Sequence, residues 1–128
     1  MPEGEGTVLD NCCLMWLSNM WAGWKHDNMK VPVVRPPAGS DVYLIAQLWR
    51  WYPMLELESG KSYRIHLMSM DWLHGFSLQP ENINIQVHPG YEHVLTVTPT
   101  NPGTYAIVCN EYCGINHHAM VSRLYVVK

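Results

Sequence analysis

From Val31 onward, no stretch of this chain runs far without a residue that stops a helix. Pro32, Pro36-Pro37 and Gly39 come first, then Pro53, Ser59-Gly60, Pro80, Pro89-Gly90, Pro99 and Pro102-Gly103. Proline removes a backbone donor and fixes φ, and Pro-Gly and Ser-Gly pairs favour turns. The segments between them are short, apolar and β-branched, and several alternate with a period of two. Tyr63, Ile65 and Leu67 alternate with Arg64, His66 and Met68, and Ile83, Ile85 and Val87 alternate with Asn82, Asn84 and Gln86. The pattern predicts strands over 42–51, 54–58, 63–68, 82–87, 91–98, 104–109 and 121–127. Roughly seven short strands, with turn signals about every 8–12 residues, predict an all-β antiparallel sandwich or barrel.

The first 40 residues read differently. Val8, Cys12, Trp16, Met20 and Trp24 recur every four residues, which is helical spacing. Thr7 and Asp10 ahead of that run have the capping-box spacing. A short N-terminal amphipathic helix over about 8–24 is expected, with Cys12 and Cys13 as apolar filling on it. Asp10, Asn11, Ser18 and Asn19 interrupt the stretch, which makes it a poor membrane span. The proline-rich run 31–40 reads as a stiff linker. The expected division is therefore 1–40, helix and linker, and 41–128, the β domain.

A chain of 128 residues is one domain's worth, and its net charge of −3, with no basic run, gives no footprint for nucleic acid. Its four cysteines fall in two close pairs, Cys12-Cys13 and Cys109/Cys113, which is no disulfide framework.

The chemistry is concentrated in Cys109-Asn110-Glu111-Tyr112-Cys113-Gly114-Ile115-Asn116-His117-His118-Ala119-Met120. Thiolate, imidazole and thioether form a soft donor set that favours copper. Cys113, His117 and Met120 alone fit a mononuclear copper loop. Cys109 adds a second thiolate, and two thiolates can bridge two ions. Zinc binding and a Cys–His nucleophile are the other readings of such a loop, although methionine is a poor zinc ligand. At least one further ligand must come from elsewhere. His74 is the best placed, because it follows an apolar stretch and Gly75 lets backbone pass closely. His26, His66, His88, His93 and His118 are expected at the surface.

These residues resemble the copper-A domain of cytochrome c oxidase subunit II. That family carries Cys-x-Glu-x-Cys-Gly-x-x-His-x-x-Met with a histidine some way upstream, and every position is occupied here: His74, Cys109, Glu111, Cys113, Gly114, His117 and Met120. Gln47-Leu48-Trp49-Arg50-Trp51-Tyr52 is similar to its aromatic Gln-Trp-x-Trp segment, with altered spacing. The short segment 74–80 and the Asn82–Asn84 strand look closest to the small B-type heme-copper oxidases. The resemblance covers residues 42–128. It implies a cupredoxin-like Greek-key sandwich. It also implies two copper ions bridged by Cys109 and Cys113, with His74 and Met120 on one, and His117 and the Glu111 carbonyl on the other. The Glu111 side chain would reach a magnesium ion at the contact with a catalytic subunit. Asp71, three residues before His74, would support that ligand from behind. Trp49 or Trp51 would mark where electrons enter.

The function implied is electron transfer within a respiratory oxidase complex. Single electrons would arrive from a cytochrome c or small copper protein and pass to heme in subunit I. The chain would sit at the outer, periplasmic or extracellular, face of the cytoplasmic membrane. The loop offers no open coordination position, general base or nucleophile, so this chain alone would move electrons without transforming a substrate. A nitric oxide reductase carrying the same copper domain and a mononuclear cupredoxin carrier are the alternatives. Nitrous-oxide reductase has Trp-Phe where this chain has Glu111-Tyr112.

Overall fold

The computed structural model describes residues 31–128, together with Pro2–Glu3 and Gly6–Thr7. Those two short segments are β1 and β2, paired antiparallel within a separate unit spanning residues 1–30. The expected helix over 8–24, Cys12, Cys13 and His26 lie outside the described residues.

Ten strands make up the unit Val31–Lys128: β3 (Val33–Val34), β4 (Asp41–Gln47), β5 (Arg50–Tyr52), β6 (Met54–Glu58), β7 (Tyr63–Ser69), β8 (His74–Gln79), β9 (Ile83–Val87), β10 (Glu92–Val97), β11 (Gly103–Cys109) and β12 (Val121–Val127). They form a four-stranded sheet ordered β10-β7-β4-β5 and a six-stranded sheet ordered β3-β6-β12-β11-β8-β9. The all-β sandwich expected from the sequence is therefore present.

Four features differ from the sequence expectation, the first being β8 (His74–Gln79), a strand absent from the expected set because its residues show no clear alternation. The sheets are mixed: β4 runs parallel to β7, and β6 runs parallel to both β12 and β3. Chain segments that leave one sheet for the other return alongside strands that are not their sequence neighbours, a relationship that turn residues do not encode. The expected single strand 42–51 is two strands, broken at Leu48–Trp49, with Gln47 facing Arg50 across the turn. Part of the proline-rich run is not a bare linker, because Val33–Val34 pairs with Met54–Leu55.

Alternation decides what is inside. Val42, Leu44 and Ala46 of β4, and Tyr63, Ile65 and Leu67 of β7, face the sandwich interior. Leu55 and Leu57, Phe76 and Leu78, Tyr105 and Ile107, and Leu124 and Val126 meet them from the other sheet. Fully burying one such leucine or phenylalanine is worth about 1.5–3 kcal/mol. The same period of two sets the chemistry. His74 shares a face with Phe76 and Leu78, and Cys109 shares one with Tyr105 and Ile107. His74 opens β8 and Cys109 closes β11, both facing the core. The register confirms their proximity, with Cys109 opposite Phe76.

Candidate metal centre

The two strands that flank the Cys109–Met120 loop are paired antiparallel up to Val108 and Val121. The loop must then close on itself, and the Cys109 amide donates to the Met120 carbonyl at 3.0 Å. Its second half is wound into a single 3-10 turn, His117–Ala119, held by His117 N to Gly114 O at 3.1 Å and Met120 N to His117 O at 3.1 Å. Gly114 has φ +111°, a conformation that disfavours a side chain. These constraints turn Cys113, His117 and Met120 toward Cys109.

The sulfur atoms of Cys109 and Cys113 are 3.7 Å apart. Around this pair lie His74 Nδ1 at 3.9 Å and the Glu111 carbonyl oxygen at 3.2 Å from Cys109 Sγ. His117 Nδ1 at 3.5 Å and Met120 Sδ at 3.7 Å approach Cys113 Sγ. The metal-binding atoms of His74, Cys109 and Cys113 all lie within 4.8 Å of one another. His74 and Met120 are fully buried, and the two cysteines nearly so. Two imidazole nitrogens, two thiols, a thioether and a carbonyl thus converge at the protein interior's edge. This is the soft donor set that suits copper, and nothing in it resembles the all-oxygen surroundings of magnesium or calcium.

His74 is oriented by Asp71. A carboxylate can only accept, so His74 Nε2 donates to Asp71 Oδ1 at 2.8 Å, which leaves the Nδ1 lone pair facing Cys109. Asp71 is itself fixed by two backbone donors, Leu48 N at 2.7 Å on Oδ2 and Trp72 N at 2.6 Å on Oδ1. Behind the imidazole stands Trp51, whose ring meets His74 edge-on at 6.1 Å and Phe76 at 5.5 Å.

The two thiols differ. Burial pushes Cys109 up, but hydrogen bonds with His74, with the backbone of Gly75 and Glu111 and with Cys113 outweigh it and bring the thiol down to about 6. Burial pushes Cys113 up, and the charge of neighbouring Cys109 pushes it further, to about 12. Burial would lower His74, yet its hydrogen bonds to Cys109 and Asp71 raise it overall. Metal binding must displace the protons that the thiols carry.

Gly75 is needed for packing. A Cβ there would stand 2.1 Å from Asn110 Oδ1 and 2.7 Å from the Glu111 amide. The space is taken because the ligand loop lies directly on β8, where Asn110 N donates to Gly75 O at 3.2 Å. The Glu111 carboxylate is not free, since Gln86 Nε2 of β9 donates to it at 3.1 Å.

The two tryptophans separate. Trp51 is 1% exposed and forms part of the core, so it cannot meet a donor at the surface. Trp49 is half-buried and donates from its indole Nε1 to the Cys113 carbonyl at 3.0 Å. Its neighbour relationship with Cys113 had no signal in the sequence. His118 is exposed, as expected. His88 is exposed and His93 half-buried, with His88 N donating to His93 Nε2 at 3.2 Å. His66 is not the solvated residue expected: its side chain is 14% exposed, stacked on Tyr43 and held between Asp41 and Glu92.

Residues 53–127 match the family model for cytochrome c oxidase subunit II, periplasmic domain. Two Thermus thermophilus proteins, each a cytochrome c oxidase subunit 2, are 33% identical over 101 residues, or 78% of this chain. The match takes in 75% of one and 60% of the other. A heme-copper terminal oxidase dimer solved by electron cryomicroscopy contains a chain that superimposes with a TM-score of 0.62 at 28% identity, covering 68% of this chain and 64% of that one. The periplasmic domain of subunit II (CoxB) of Bradyrhizobium japonicum superimposes with a TM-score of 0.65 at 20% identity, covering 73% and 87%, and shares the fold. On the strength of the matched residues and the converging donors, this chain belongs to the cytochrome c oxidase subunit II family.

Proposed function

We propose that this chain is the electron-transfer subunit of a respiratory heme-copper oxidase, built around a binuclear copper centre. The observation that carries the reading is the sulfur pair of Cys109 and Cys113, 3.7 Å apart and flanked on both sides by a nitrogen and a weaker donor. A mononuclear centre of two imidazoles, one thiolate and a weak axial methionine would leave the second cysteine and the carbonyl without a role.

Cys109 and Cys113 would bridge both ions. His74 and Met120 would complete one, and His117 with the Glu111 carbonyl the other. Copper held by both thiolates would supply reversible one-electron transfer. The chain's own part is to keep the donors still. Asp71 fixes the His74 ring, the Met120 carbonyl closes the loop on Cys109, and the strand ends of β8 and β11 set the separation of His74 and Cys109. Ligands held in place before the metal arrives rearrange little when its charge changes. The buried donors also exclude water.

Membership of the family supports a catalytic-subunit partner. A heme-containing catalytic subunit would accept the electrons, and a cytochrome c or small copper protein would deliver them. The Glu111 carboxylate, held by Gln86 at the β9 edge, is the group offered to magnesium at that contact. The chain would lie on the periplasmic side of the membrane within the complex. No helix among the described residues is long and apolar enough to cross a membrane. Electrons would enter near Trp49, which reaches the ligand loop, and not at buried Trp51.

The test is purification of the chain's native complex from membranes. The expected result is a heme-bearing partner that consumes oxygen when reduced through this subunit. Isolation with a partner that reduces nitric oxide instead of oxygen, or with no heme partner, overturns the oxidase reading.

A further inference from the structure

Two adjacent residues of the β4–β5 turn each support one of the ligating residues, His74 through Asp71 and Cys113 directly. Leu48 donates its amide to Asp71 Oδ2 at 2.7 Å, and the other oxygen of that carboxylate holds His74 Nε2 at 2.8 Å. Trp49 donates its indole N–H to the Cys113 carbonyl at 3.0 Å. The Trp49 ring also lies over Gly114: a Cβ on Gly114 would stand 3.3 Å from Trp49 Nε1 and 3.4 Å from Cζ2. The contacts reach 23 and 64 residues along the chain, from one turn.

We infer that the Leu48–Trp49 turn is a brace for the metal centre and that Trp49 is a positioning residue for Cys113 and His117. The ligand loop is otherwise tied down near its ends, by Cys109 to Met120, by Asn110 to Gly75 and Asn84, and by Glu111 to Gln86. Its middle, Tyr112 to Asn116, buries the Cys113 side chain but leaves Tyr112 and Ile115 at 76% and 80% exposure, so the backbone on either side of Cys113 gains little from packing. Among the described residues, the Trp49 indole is the side chain that crosses from the other sheet's turn to pin the Cys113 carbonyl. With Cys113 and Gly114 fixed, the 3-10 turn that aims His117 starts from a set position, because the Gly114 carbonyl accepts its first hydrogen bond. This role is separate from any part the ring plays in carrying electrons, and it rests on the binuclear reading only for its spectroscopic arm.

Trp49→Phe keeps an aromatic ring over Gly114 and deletes the N–H. In the copper-loaded full chain, it should lower copper affinity roughly 10–100-fold, measured by chelator competition, as removal of outer support for ligands does. It should also make the copper nuclei inequivalent in the electron paramagnetic resonance spectrum and shift the reduction potential. A folded Trp49→Phe chain with unchanged affinity, spectrum and potential overturns the brace. A second arm needs neither copper nor the variant. In the metal-free native chain, the Trp49 indole proton should exchange with solvent at least about tenfold more slowly than that of a free indole, as a hydrogen-bonded donor does. Exchange at the free rate overturns the proposal even if Trp49→Phe fails to fold. Copper binding by the native chain tests the binuclear reading separately, so failure of one does not imitate failure of the other.

Discussion

His74 is held from behind by Asp71, with Nε2 donating to Oδ1 at 2.8 Å while Nδ1 faces Cys109 Sγ at 3.9 Å. The hydrogen bond chooses the tautomer before any metal is present. Asp71→Ala should therefore release both the imidazole and the Leu48 amide. Copper affinity is expected to fall roughly 10–100-fold, and the metal-free domain should lose about 1–3 kcal/mol from its unpaired buried groups. Chelator competition and thermal melting read the two effects. Asp71→Asn should cost less, since its amide oxygen can still accept from His74.

The space above Gly75 is filled by the ligand loop, and this gives a steric prediction. Gly75→Ala places a methyl against the Glu111 amide, which is backbone and cannot swing aside. The loop must lift from β8. A loss of about 1–3 kcal/mol is expected from such overpacking, together with a changed copper spectrum. A Gly75→Ala chain with native melting and native spectrum would show that the loop does not sit on β8 as described.

The histidine between Asp41 and Glu92 predicts a pH dependence away from the metal. Burial would lower the pKa of His66, but hydrogen bonds to Asp41 and Glu92, and their charges, raise it overall. Arg64 also bonds Asp41, whose carboxyl is lowered by His66 first and Arg64 second. A raised histidine stabilises the fold fully below its unfolded value of about 6.5, and that stabilisation is lost as pH rises through the folded value. His66→Gln should therefore be less stable than the native chain near pH 5.5, and the gap should narrow toward pH 9. Melting temperatures of both chains across that range decide it. A gap that is constant or widens with pH would mean that the imidazole is not held as a cation.

Much of this was legible in the residues. Alternation along 63–67 put the right side chains inside, and a strand was expected to end at Cys109, but the strand His74–Gln79 that carries His74 had no clear period of two and was not expected. The spacing of Cys109, Cys113, His117 and Met120 is local, so the loop's donor set could be read directly. What could not be read depends on contacts between distant segments. Strand 42–51 breaks at Leu48 because Asp71, 23 residues later, takes the Leu48 amide. The parallel pairing of β4 with β7 brings Asp41 and Tyr43 beside Arg64 and His66, which is why His66 is sheltered although it alternates outward. Trp49 and Trp51 look equivalent in sequence. Only the fold shows one in the core and the other on the Cys113 carbonyl.

The central claim is that Cys109 and Cys113 jointly hold two coppers, and copper counting with electron paramagnetic resonance on the reconstituted full chain tests it most directly. The account predicts two coppers per chain and a spectrum split by two equivalent copper nuclei, with Cys109→Ser collapsing it to the pattern of a single nucleus. One copper per chain, or a two-nucleus spectrum that survives Cys109→Ser, would contradict it.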